Sequence, residues 1–133
     1  MILIDTSVLI DYLKGKDNTA TEKFQEILDI SIPFGINSLI FQEVLQGARN
    51  TAEYNKLKEY LETLDFYELT KGRKSYEEAA YLNFQCRRSG VTVRSTIDLL
   101  IAQTAIEHSM PLLHNDSDFD HIAKVIKTLT IYI

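Results

Sequence analysis

Five short apolar, β-prone runs, separated by stretches of helical sequence, constrain this chain more than any other feature. They are Ile2–Ile4, Pro33–Ile36, Phe66–Leu69, Pro111–Leu113 and Leu129–Ile133. Strands that alternate with helices imply an α/β/α sandwich around a mainly parallel central sheet. In such sheets ligands gather outside the carboxyl ends of the strands, which fixes where chemistry is to be sought.

The intervening segments read as helices. Asp5-Thr6-Ser7 can cap a helix starting near Val8 and ending at Lys14-Gly15. Residues 19–30 place Phe24, Ile27 and Leu28 at helical spacing. Ser38 is expected to cap a helix that carries Glu43 and closes near Gly47, and residues 51–64 set Tyr54, Leu57, Leu61 and Leu64 on one stripe. Ser75 and Glu78 have capping-box spacing for a helix running to Arg87-Arg88-Ser89-Gly90. Ser95 or Thr96 opens the next helix, which stops before Pro111, and Asp118–Ile126 forms a short last one.

The 133 residues are read as one domain, long enough to bury a core without a disulfide or structural metal. Cys86 has no cysteine to pair with and no ligand neighbour, so it is expected to be a small buried or half-buried residue. Residues 1–10 lack a basic leader region, and no stretch reaches the roughly 18 apolar residues of a membrane span, so a cytoplasmic location is expected. The net charge of −5 argues against nucleic acid, because phosphate contacts need Lys and Arg. Its distribution is uneven, however. Residues 71–94 hold Lys71, Arg73, Lys74, Arg87, Arg88 and Arg94 against Glu77 and Glu78. That run is either a solvated face or a counter-charge to acids nearby.

Acids stand where the strand rule directs attention. Ile2–Ile4 runs into Asp5, and Leu112–Leu113 runs through His114-Asn115 into Asp116, while Asp98 and Glu43 lie early in helices. Singly, each has a structural reading: Asp5 as a cap, Asp98 as a helix-dipole partner at the third position after Ser95, Glu43 as a surface residue, Asn115-Asp116 as a turn. Together they could converge on one sheet edge, and their apolar neighbours make unpaired charge there expensive. Hard cations such as Mg²⁺ take several oxygen ligands, and one or two of them can activate water and stabilise the leaving oxygen of a phosphodiester. Carboxylates without Cys or His at ligand spacing fit that chemistry better than zinc.

Four segments then carry a resemblance. Ile-Asp-Thr-Ser-Val-Leu-Ile at 4–10, Gln-Glu-Val-Leu-Gln-Gly at 42–47, Ile-Asp-Leu-Leu-Ile-Ala-Gln-Thr-Ala at 97–105 and Asn-Asp-Ser-Asp-Phe at 115–119 resemble the PIN domain family, in order and over essentially the whole chain. The compact length resembles its VapC-type toxins. The resemblance implies a Mg²⁺- or Mn²⁺-dependent endoribonuclease acting on RNA, a cognate VapB-type antitoxin and a homodimer, with DNA bound only through the antitoxin. Asp5, Glu43, Asp98 and Asp116 match the family's acidic tetrad, with Asp5, Asp98 and Asp116 as metal ligands, the last directly or through water. Thr6 or Ser7 matches a supporting hydroxyl, and Asp118 is a second candidate for the fourth acid or the N-cap of the last helix. His114 departs from the family, standing where a Thr is expected; it reads as a packed strand-end residue or a phosphate contact. Arg87, Arg88 and Arg94 are candidate substrate contacts.

Three other readings stand beside this one. A PIN fold kept only for binding RNA or protein would share the segments without cleaving anything. A receiver-like signalling module would need an acidic pair after the first strand and a Lys after a late one, and the chain has neither. A haloacid-dehalogenase-like phosphatase would need a second Asp where Ser7 stands.

Overall fold

In the computed structural model, which describes residues 1–133, four parallel strands form one sheet. The elements run β1 (Ile2–Ile4), α1 (Thr6–Leu13), α2 (Thr19–Asp29), β2 (Phe34–Ile36), α3 (Ser38–Gln46), α4 (Thr51–Leu61), β3 (Asp65–Phe66), α5 (Arg73–Arg88), α6 (Thr96–Glu107), β4 (Leu112–Leu113) and α7 (Ser117–Val125). The sheet order is β3-β2-β1-β4, and the helices flank it in the α/β/α arrangement the alternation predicts. Register is set by Leu3, which faces Gly35 of β2 on one side and Leu112 of β4 on the other. All three residues of β1 are buried, as a central parallel strand covered on both faces requires. Phe24, Ile27, Leu9, Ile101 and Phe119 close over the sheet with no exposed surface. Helix α6 is buried from Leu99 through Ala105 and packs against α3, α5 and α7.

The chain moves from β1 outward to β2 and β3, then returns to place β4 on the other side of β1. The order therefore reverses between β1 and β4, and the crevice beyond their carboxyl ends is the ligand position of an open parallel sheet. Backbone bonds hold that edge closed: Asp5 N–H donates to Leu113 O at 2.9 Å and Leu3 N–H to Pro111 O at 3.0 Å. Gly35 lets β2 and β3 approach. A Cβ there would stand 2.4 Å from the Tyr67 ring and 2.6 Å from Asp65 O.

Several local expectations are corrected. Helix α3 is capped by Asn37, whose Oδ1 accepts from Ile40 N at 2.9 Å; Ser38 is already helical and binds Glu68. Helix α5 starts earlier than expected, at Arg73, after Gly72 with φ +57°, and no capping box forms. Ser75 is fully buried and its Oγ accepts from Lys71 N at 3.1 Å, while Glu78 turns to Lys71 and Gln103. The last helix is capped by Asp116, which displaces Asp118 from that role. Tyr54 lies 43% exposed, outside the buried stripe of α4. The final strand shrinks to a single bridge between Leu112 and Ile131.

Candidate active site

The strand-end logic brings the acids to the crevice from four directions. Asp5 is the residue between β1 and α1, 4% exposed, and its Oδ2 accepts from Ser7 N at 3.1 Å and Ser7 Oγ at 2.6 Å. It caps α1 and still lies in the field of the other acids. Burial raises its pKa, the Ser7 bonds oppose that, and Glu43 adds to it. Thr6 Oγ1 donates to Glu43 Oε1 at 2.7 Å, tying α3 to the start of α1.

Asp98 is the third residue of α6, whose N-cap Ser95 makes no side-chain capping bond. Its carboxyl is pushed up to about 7 by burial first, then by Asp5, Asp116, Glu43 and Asp118. The helix N-terminus favours a carboxylate here, yet desolvation and like charge outweigh it. Asp116 caps α7 through Oδ1, which accepts from Asp118 N at 3.0 Å.

One carboxylate oxygen from each of Asp98, Asp116 and Asp118 lies within 4.8 Å of the others. This tightest trio contains Asp118, which ranked behind Asp116 in the sequence. Asp5 and Glu43 stand outside it but within electrostatic reach of Asp98. Oxygen-only donors gathered around Asp98, whose carboxyl is raised by burial first and by the neighbouring acids second, suit a hard divalent cation such as Mg²⁺ or Mn²⁺, whose charge would relieve the repulsion among them.

The other candidates separate clearly. His114 is packed and committed: its Nδ1 accepts from Asp116 N at 3.1 Å, Nε2 lies 3.2 Å from Asp120 Oδ1, and the ring sits 5.2 Å from that of Phe119. With Nδ1 accepting, the ring proton belongs on Nε2, facing Asp120. Arg94 reaches the acids and pairs with Asp118. Arg87 and Arg88 end α5 in solvent, with Arg88 lying 5.6 Å above the Phe84 ring, and neither pairs with a site acid.

A hydrogen-bonded brace that no sequence motif announces lies under the crevice. Ser7 Oγ accepts from Asn115 N at 3.0 Å, and Asn115 Nδ2 donates to Asp11 Oδ2 at 3.1 Å. Asn18 Nδ2 reaches the same Asp11 oxygen. The spacing of Ser7 and Asp11, four residues apart on one helix face, was the available sign.

The sequence model of the PIN domain matches residues 2–125, and the chain belongs to the PIN domain family, in its VapC type. Ribonuclease VapC11 of Mycobacterium tuberculosis is 32% identical over 126 residues, covering 94% of this chain and 93% of the relative. Ribonuclease VapC51 of the same organism is 32% identical over 125 residues, covering 92% and 85%. Among solved structures, VapBC2 from Rickettsia felis, bound to a DNA fragment from its promoter, superposes with a TM-score of 0.76 at 20% identity, covering 99% and 98%. FitAcB from Neisseria gonorrhoeae gives 0.72 at 19%, covering 100% and 97%. At that identity the structural likeness speaks for the fold.

Proposed function

We propose that this protein is a divalent-cation-dependent endoribonuclease, the toxin of a VapBC-type pair. The observation that carries the reading is the convergence of Asp5, Glu43, Asp98 and Asp116, from four separate elements, on the β1/β4 edge, with Asp98 pushed up to about 7 by burial first and by the neighbouring acids second. The names of the VapC relatives support RNA as substrate, and the VapBC2 complex of the same fold supports a VapB-type antitoxin as partner.

Asp5, Asp98 and Asp116 would hold Mg²⁺ or Mn²⁺, and Glu43, oriented by Thr6, completes the acidic wall. The bound cation supplies charge stabilisation for the phosphodiester and lowers the pKa of water. The protein's own part is positioning. Ser7 orients Asp5, Asp116 is fixed by its own helix cap, and the parallel sheet sets both at one edge. Homodimerisation, and DNA contact through an antitoxin alone, belong to the same proposal. No helix is long and apolar enough to cross a membrane, and action in the cytoplasm is part of the reading.

The test is incubation of purified protein with single-stranded RNA in Mn²⁺ or Mg²⁺. Internal cleavage that EDTA abolishes is expected; intact RNA under all metal conditions would defeat the reading in favour of a binding-only PIN fold.

A further inference from the structure

Asp118 belongs to the tightest acid trio, yet both its oxygens are already engaged. Arg94 Nε donates to Oδ2 at 3.2 Å and Arg94 Nη2 to Oδ1 at 3.1 Å. The two residues lie 24 positions apart, so the pair is made by the fold and not by local sequence. It is also lopsided: the Asp118 side chain is 7% exposed and that of Arg94 is 72%. A forked bond from a buried carboxylate on α7 anchors the root of the guanidinium while its outer part stays in water. Two of the five N–H donors of a guanidinium are spent on Asp118, and the remaining three are available to another acceptor.

The surroundings say what that acceptor must be. Asp5, Glu43, Asp98 and Asp116 form no ion pair with any basic side chain; Arg94, through Asp118, is the one cation bound to the acid cluster. An RNA strand approaching five carboxylates is repelled unless a cation meets its phosphates. The planar guanidinium fork matches phosphate better than any other side chain. A carboxylate whose charge is already matched by a bidentate arginine also has less to offer a metal than Asp98, which no hydrogen bond offsets.

We propose that Arg94 binds a phosphate of the RNA strand beside the cleavage site, and that Asp118 is the positioning residue that holds Arg94 there and is not a metal ligand. The proposal rests on the ribonuclease reading above.

Two independent readouts test it on the full-length protein: steady-state cleavage of a fluorogenic single-stranded RNA oligonucleotide in Mn²⁺, and Mn²⁺ binding without RNA, followed by electron paramagnetic resonance. Arg94→Ala should raise KM about ten- to a hundredfold, the range of one charge-assisted hydrogen bond. Arg94→Lys, which keeps the charge and loses the fork, should fall between Arg94→Ala and wild type. Asp118→Asn should also raise KM, add nothing in combination with Arg94→Ala, and bind Mn²⁺ as the wild type does. Asp118→Asn binding Mn²⁺ tenfold more weakly would overturn the proposal by making Asp118 a ligand. Wild-type KM in Arg94→Ala, with wild-type cleavage intact, would overturn it while leaving the ribonuclease reading standing. A wild type that binds Mn²⁺ but cleaves no RNA would remove both.

Discussion

Ser7 joins the two strands of the active edge: its Oγ donates to Asp5 Oδ2 at 2.6 Å and accepts from the backbone N–H of Asn115 at 3.0 Å. One hydroxyl thereby sets the angle of the acid after β1 and fixes the turn after β4. Ser7→Ala leaves the Asn115 N–H without that acceptor and Asp5 without its shortest bond, at a cost of about 1–2 kcal/mol. Urea denaturation should show that loss, and Mn²⁺ titration should show weaker binding, because Asp5 is then held closer to its protonated form.

Asp98→Asn should reduce RNA cleavage at least about a hundredfold, the scale of losing one electrostatic contact to the reacting group. Its effect on the metal-free protein has the opposite sign. The folded-state pKa of Asp98, about 7, lies above the unfolded value of roughly 4. The stability this gives is complete below pH 4 and disappears as pH rises through 7. The variant should therefore match wild type in Tm at pH 4 and exceed it increasingly up to pH 8, measured in EDTA. A variant less stable at pH 8 than at pH 4, relative to wild type, would contradict the burial of Asp98 among neighbouring carboxylates.

Gly35→Ala should destabilise by about 2–3 kcal/mol, since the added carbon overlaps the Tyr67 ring and the Asp65 carbonyl. The ring can move and the backbone cannot. Adding Tyr67→Ala should therefore recover only part of the loss in chemical denaturation.

Glu107 gives a second pH signature, far from the acids. Burial works against its charge, but hydrogen bonds from Gln103, Thr70 and Ser75 hold it down at about 2. A depressed carboxyl contributes stability above its unfolded pKa, near 4.3, and loses it as pH falls through 2. Glu107→Gln should lower Tm at pH 6, with the deficit shrinking between pH 4.5 and 2.

The sheet edge was legible because its signal is local. Ile2–Ile4 and Pro111–Leu113 are apolar runs that end at acids, and a parallel sheet can only use them one way. The pairing of Arg94 with Asp118 was not, because it joins a loop to a helix 24 residues on and has no periodicity. Local pattern also misled where tertiary burial overrode it. Ser75 and Glu78 have the spacing of a capping box, but Ser75 is drawn wholly into the interior and Glu78 spends itself on Lys71 and Gln103. Leu129–Ile133 has strand-like composition, yet at the sheet margin it forms a single bridge, Ile131 against Leu112, closed by hydrogen bonds from Leu112 N to Thr130 O and from Tyr132 N to Leu112 O. The brace from Ser7 through Asn115 to Asp11 had half its evidence in the sequence, and the other half lay 104 residues away.

Acids from separate elements are expected to form one cation site. Mn²⁺ titration of the wild type and of Asp5→Asn, Asp98→Asn and Asp116→Asn, read by electron paramagnetic resonance, tests it without any assumption about substrate. Saturable binding to the wild type and at least tenfold weaker binding in each variant are expected. Wild-type binding that all three variants retain, or no binding by any of the four proteins, would contradict it.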